Sequence, residues 1–200
     1  MTNLCVTFEE WYLGDGTYPP LHRGEKVNLS FYISATDLNL TDNNSSYLKQ
    51  IRDSDYSFSA QIIRNYENGD RQLVILDTGE LKFYIEVPKR NLPLTVGQFV
   101  CGTGQILIDY YAWVENLDSY DNPPDLFYSF SVEKIRKVKI PEKFINRNDK
   151  AMSYPSSLAI SEYSIDDTIE IEDMRNDTEN TCFYLLDLKA INESIPKTFC

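Results

Sequence analysis

The run from Phe99 to Val114, FVCGTGQILIDYYAWV, decides the fold class of this chain. Read as a strand, it puts Ile106, Ile108, Tyr110, Ala112 and Val114 on one face and Leu107, Asp109, Tyr111 and Trp113 on the other. β-Branched and aromatic residues suit a pleated, packed surface, and Gly102 and Gly104 mark a bend or bulge near the start. A buried helix is the competing assignment, but the aromatics and the neighbouring glycines favour a strand. The run argues for a β-rich domain built around it.

Upstream lies a three-stranded meander. Tyr56 to Tyr66 and Arg71 to Asp77 flank Asn68-Gly69, and Thr78-Gly79 leads into Leu81, Phe83, Ile85 and Val87, with Lys82, Tyr84 and Glu86 facing outward. Asn-Gly fits a type I′ hairpin, which needs positive φ at both central positions. Val27, Leu29, Phe31 and Ile33 alternate with Asn28, Ser30 and Tyr32, the pattern of a half-buried strand. Val6 to Leu13 reads as a first strand ending at Gly14-Asp15-Gly16, and Pro19-Pro20 keeps the following turn out of a helix. Residues 37–46 are polar and read as a loop. Tyr47, Leu48 and Ile51 have helical spacing, so a short helix to Arg52, capped by Asn44 or Ser45, is expected.

Downstream, Asp118 to Asp125 is an acidic loop containing Pro123-Pro124. Leu126 to Val138 is a strand, and Lys134, Arg136, Lys137 and Lys139 suggest a sheet edge guarded by charge. Residues 141–164 read as an irregular linker or arm. Ile165 to Ile171 and the apolar run Thr181 to Leu188 suggest a C-terminal hairpin turning near Asn176 to Asn180. Pro20-Leu21-x-x-Gly24-x-x-Val27 recurs as Pro93-Leu94-x-x-Gly97-x-x-Val100, which implies two strands entered by the same turn rather than a true repeat. The expected fold is mainly β: an antiparallel curved sheet, small barrel or sandwich, with one short helix and a C-terminal hairpin-like addition. The main β domain covers residues 1–140, and an arm and hairpin over 141–200 pack on the same domain.

Two hundred residues, 42% of them hydrophobic, suit one domain. A chain this long buries roughly 70% of its unfolded surface without staples. The net charge of −12 works against nucleic-acid binding, which depends on Lys and Arg neutralising phosphates. It suits either plain solubility or attraction to a basic partner. Cys5, Cys101, Cys182 and Cys200 contain no CxxC pair, so neither a structural zinc site nor a thioredoxin-type motif is expected. The start MTNLCVTFEEW lacks a signal-peptide pattern, and no apolar run approaches the ~18 residues of a membrane span. A cytoplasmic location with reduced thiols is expected.

Catalytic signatures are missing. The one histidine, His22, lies in the turn LHRGE with no nucleophile elbow to support it. Neither GDG (14–16) nor GTG (102–104) completes a phosphate-binding motif. Asp118, Asp121 and Asp125 line a loop that does not match the EF-hand order, and Asp166, Asp167, Glu170, Glu172 and Asp173 cluster further on. Asp109, inside the apolar run, must be hydrogen-bonded, paired or shifted in pKa; a satisfied residue on the more exposed face is the expectation. Trp11, Tyr12 and Tyr18 are either an aromatic surface or plain core, and core is the better assignment.

In size, charge and lack of a catalytic motif, the chain resembles small acidic bacterial proteins that bind and neutralise a partner, including immunity proteins of toxin systems. The expected function is therefore a non-enzymatic cytosolic binding protein, an inhibitor or immunity protein, with a basic protein partner and no cofactor. Its candidate contacts are Glu9, Glu10, Trp11, Asp15, Asp118, Asp121 and Asp125. The alternatives are a carboxylate- or metal-dependent enzyme and an OB-like binder of single-stranded nucleic acid.

Overall fold

The β-branched and aromatic runs pair into one sheet of eleven strands that curls back on itself. The computed structural model describes residues 3–9, 11–14, 18–89, 94–109, 112–139, 163–171 and 181–191. Its strands are β1 (Asn3–Phe8), β2 (Lys26–Leu29), β3 (Phe31–Thr41), β4 (Tyr47–Arg52), β5 (Asp55–Asn68), β6 (Arg71–Asp77), β7 (Lys82–Pro88), β8 (Phe99–Ile108), β9 (Tyr128–Lys139), β10 (Ser164–Thr168) and β11 (Thr181–Ala190). A one-turn helix, α1 (Trp11–Gly14), and a 3₁₀ turn (Leu117–Ser119) complete the set among the described residues.

Five strands close into a barrel. β5, β6 and β7 form the expected antiparallel meander. β8 pairs with β5 on one side and β3 on the other, and a parallel pairing of β3 with β7 at Tyr32 and Tyr84 closes the ring. Closure leaves these strands without free edges where they pair, which protects them from other chains. The inner faces supply Phe31, Ile33, Phe58, Ile62, Val74, Leu76, Phe83, Ile85, Val100 and Ile106, all buried in one cluster. The sheet then runs on from β8 through β1, β11 and β9 to β10, and β2 also pairs with β9.

The central strand is shorter than its sequence suggests. β8 stops at Ile108, and Asp109 turns the chain out of the sheet. The two glycines in β8 meet the expectation of a bend. A methyl group at Gly102 would run into the Asp37 carbonyl oxygen, and one at Gly104 would lie 2.6 Å from that of Ser34. The β3–β8 register shifts between Ala35 and Asp37, beside these glycines.

Several local assignments change in the structure. The first strand ends at Phe8 and gives way to α1. Val27, Leu29, Phe31 and Ile33 are all buried as expected, but the run divides at Ser30, where the chain leaves β9 for β8. Residues 37–41 extend β3 instead of forming a loop. Tyr47–Arg52 is a strand on β5, not a helix; Tyr47 and Ile51 are exposed, so the helical spacing marks no buried stripe. The hairpin loop is Gly69-Asp70, closed by Asn68 and Arg71. Gly69, at φ +57°, takes the first central position, where a type II′ turn wants glycine.

β9 is not an edge. It lies between β10 and β11, and two of its lysines pair with acids of β10: Lys134 with Asp167 at 2.9 Å and Lys139 with Asp166 at 2.8 Å. The two C-terminal strands flank β9 on opposite sides instead of pairing with each other as a hairpin. The arm expected over 141–164 falls largely, and the turn over 176–180 wholly, outside the described residues. The recurring Leu-x-x-Gly motif is a shared turn: Gly24 and Gly97 have φ of +86° and +93°, and His22–Glu25 and Thr95–Gln98 each close a 3.1 Å backbone hydrogen bond. Leu21 and Leu94 are buried ahead of each turn.

Candidate functional site

Asp109 organises the region outside the barrel mouth. It is fully buried, not on a more exposed face. Tyr84 donates its hydroxyl to Oδ1 at 2.5 Å and Ser30 donates to Oδ2 at 3.3 Å. The backbone N–H groups of Trp113 and Val114 donate at 3.4 and 3.2 Å. A buried carboxylate is tolerated only with such donors. The Asp109 carbonyl accepts the Tyr18 hydroxyl at 2.8 Å, and the Ile108 carbonyl accepts that of Tyr12 at 3.2 Å. Tyr12 and Tyr18 are therefore core, packed against Phe8 at ring distances of 5.2 and 5.8 Å. Burial first, then the charge of Asp109, pushes the Tyr18 phenol well above its ordinary range.

By turning the chain at Asp109, the structure lays residues 112–127 over the outer face of β6 and β7. Leu73, Ile75 and Tyr84 on that face are covered by Ala112, Trp113 and Leu126. Tyr84 was expected to face solvent; the covering segment comes from beyond β8, so strand alternation alone does not reveal it. The rings of Tyr32, Tyr84, Trp113, Tyr120 and Tyr66 stack in sequence, with centroids 4.5 to 6.5 Å apart. This continuous aromatic column carries the acidic loop.

At the Tyr32 end of the column a groove of about 580 Å³ opens between the end of β1, β3 and β7. Glu9, Trp11, Tyr32, Arg71, Glu86 and Val87 line it. Trp11 donates its indole N–H to Glu9 at 2.8 Å, and Arg71 Nε lies 3.3 Å from Glu86. Glu86 also lies near enough to Tyr120 to help, after burial, raise that phenol's pKa.

The structure brings Glu9 and Trp11 together in this groove. It places Asp118, Asp121 and Asp125 on the exposed loop at the far part of the column. Asp121 accepts the Tyr66 hydroxyl at 3.4 Å through its carbonyl, and Asp125 accepts the N–H of Phe127 at 3.0 Å. Glu10 and Asp15 lie outside the described residues. Arg71 and Glu86 belong to the groove but carry no local signal; only barrel closure brings them to Glu9.

The other chemically capable groups lie elsewhere. His22 is largely exposed, with Nδ1 3.4 Å from Glu170. Arg136 spans Asp53 at 2.6 Å, Asp187 at 2.9 Å and the Cys5 sulfur at 3.1 Å. Burial opposes the Arg136 charge, but the hydrogen bond to Asp53 and the neighbouring charges hold its pKa above the ordinary value. Burial, followed by Asp187, pushes the Cys5 thiol far up, so it is a poor nucleophile. This network ties β9 to β1, β11 and the β4–β5 turn. Among the described residues, no group of three or more His, Cys, Asp or Glu is placed to hold a metal ion, and no helix is long and apolar enough to cross a membrane.

Comparison with protein-family models, with curated proteins and with solved structures finds no match for this chain.

Proposed function

We propose that this protein is a non-enzymatic cytosolic binding protein of the inhibitor or immunity type, and that a basic protein partner docks on the groove and the adjoining acidic loop. One observation carries the reading: Glu9, Trp11 and Glu86 converge in a 580 Å³ groove joined by the aromatic column to an exposed loop bearing Asp118, Asp121 and Asp125. An aromatic beside charge is a common anchor at interfaces. The summed charge of −12 adds long-range steering of a cation-rich partner.

The test compares pull-downs of the tagged wild type and of a quadruple charge reversal, Glu9→Lys, Asp118→Lys, Asp121→Lys and Asp125→Lys, from native lysate at low and high salt. A stoichiometric basic partner held by the wild type at low salt, and lost both at high salt and from the variant, supports the reading. Equal capture by both proteins rejects this surface.

The enzyme reading retains one supporting observation: Glu9 and Glu86 come from different elements and share a groove. It predicts a thermal shift with magnesium, manganese or calcium that disappears in Glu86→Gln. For the nucleic-acid reading, the outer face of β6 and β7 is covered by the protein's own Trp113 and Leu126, so stacking platforms would have to lie elsewhere.

A further inference from the structure

Resting on the binding reading above, we infer that the groove recognises an arginine side chain of the partner, taking the guanidinium between the Glu9 and Glu86 carboxylates and the Trp11 and Tyr32 rings. The groove combines the two features a guanidinium uses. Its planar cation accepts aromatic faces and pairs with carboxylates through several N–H donors, whereas an ammonium is a compact, strongly hydrated point charge. Trp11 and Tyr32 are both half-buried, so each shows part of its surface to the groove. Tyr32 is held in place by stacking on Tyr84 at 5.6 Å, so its ring is fixed before a ligand arrives.

The protein already seats one guanidinium here. Arg71 reaches Glu86 with Nε at 3.3 Å and the Glu86 carbonyl with Nη2 at 3.4 Å, although half of its side chain is exposed. Arg71 supplies one positive charge against two carboxylates, so the lining stays net negative. The volume of about 580 Å³ falls within the range of small-molecule sites and admits a side chain with the short peptide that carries it. The half-buried Val87 in the lining offers apolar contact to the methylene stem.

The experiment uses the full chain labelled with nitrogen-15 and three blocked tripeptides, acetyl-Gly-Arg-Gly-amide and its lysine and citrulline counterparts, titrated to millimolar concentrations at constant ionic strength. Citrulline keeps the shape of arginine and removes its charge. Saturable shifts of the Trp11 indole N–H are expected with the arginine peptide. Binding should be about tenfold weaker with citrulline, and weaker by a similar factor in Glu9→Gln and in Glu86→Gln. Lysine is expected to fall between them. Equal shifts with arginine and citrulline overturn the inference, as does an arginine titration that leaves the Trp11 indole unmoved. The indole of Trp113, fully buried, reports that each variant is folded. A partner captured by pull-down without any arginine response removes the inference and leaves the binding reading standing. An arginine response that is lost in Glu9→Gln and Glu86→Gln supports the inference whether or not the pull-down captures a partner.

Discussion

The Tyr84 hydroxyl and the Asp109 carboxylate meet at 2.5 Å with neither residue exposed to solvent. Tyr84 lies on β7 and Asp109 just beyond β8, strands that are not neighbours in the barrel, so this contact locks the exit of the chain to the barrel wall. Tyr84→Phe keeps the ring and removes the donor, and is expected to cost about 1.5–3 kcal/mol. Asp109→Ala strands several buried donors together and should cost more, about 3–5 kcal/mol. Urea unfolding reads both values, and an unchanged midpoint for Tyr84→Phe would show that the contact adds no stability.

Trp113 is the hinge pin of the covering segment. It is fully buried between Tyr84 and Tyr120, yet its indole nitrogen has no hydrogen-bond partner among the described residues. Trp113→Ala should cost about 3–5 kcal/mol and release residues 114–125 to limited proteolysis. Trp113→Phe leaves a ring in place and relieves the unsatisfied donor, so a change within about 1.5 kcal/mol is expected. Equal loss in the two variants would show that a phenyl ring does not fill the site and would overturn this expectation.

Stability should fall at alkaline pH. Burial raises the Cys5 thiol above its ordinary value of 9.0 and the Tyr12 and Tyr56 phenols above 10.0. Above those ordinary values the unfolded chain releases protons that the folded chain keeps, so the folded state is progressively disfavoured. The contribution is complete below pH 9 and declines as pH rises past it. In Cys5→Ala the onset should move up towards the tyrosine range. Denaturant midpoints measured from pH 7 to about pH 10.5 decide this, and a flat profile in the wild type contradicts it.

Glycines of two kinds should separate cleanly. Gly24 and Gly97 have positive φ but open space around them, so alanine at either should cost about 1–2 kcal/mol, with the two values similar. Gly102 and Gly104 lie against the backbone of β3, where nothing flexible can give way. Alanine there should cost more than at the turns and open the β3–β8 ladder, visible as faster amide exchange at the paired residues Tyr32 and Leu107. Similar costs at all four positions would mean that β3 moves aside.

Much of the fold was legible because its signals are local. The meander declared itself through Asn68-Gly69 and Thr78-Gly79 between alternating runs, and the shared turn through Gly24 and Gly97. The misread parts were set by distant partners. Tyr47–Arg52 becomes a strand because β5 offers it a ladder, which overrides a weak helical spacing. The lysines of β9 look like edge protection until Asp166 and Asp167 arrive beside them. At the candidate site, Glu9 and Trp11 stood out as an acid next to an aromatic. Arg71 and Glu86 did not, because closure between β3 and β7 alone brings them into the groove.

The place of β1 bears on how the chain assembles. Its residues Asn3 to Phe8 pair along their length with Tyr184 to Lys189, at the other end of the described chain. During synthesis the ribosome delivers this apolar strand well before its antiparallel partner. The meander can zip early, since its contacts are close in sequence, whereas β1 must wait. Until β11 emerges, β1 can pair with β8 on one side only, and its other edge stays open. Chaperone demand and inclusion-body formation should therefore follow the fate of this one segment.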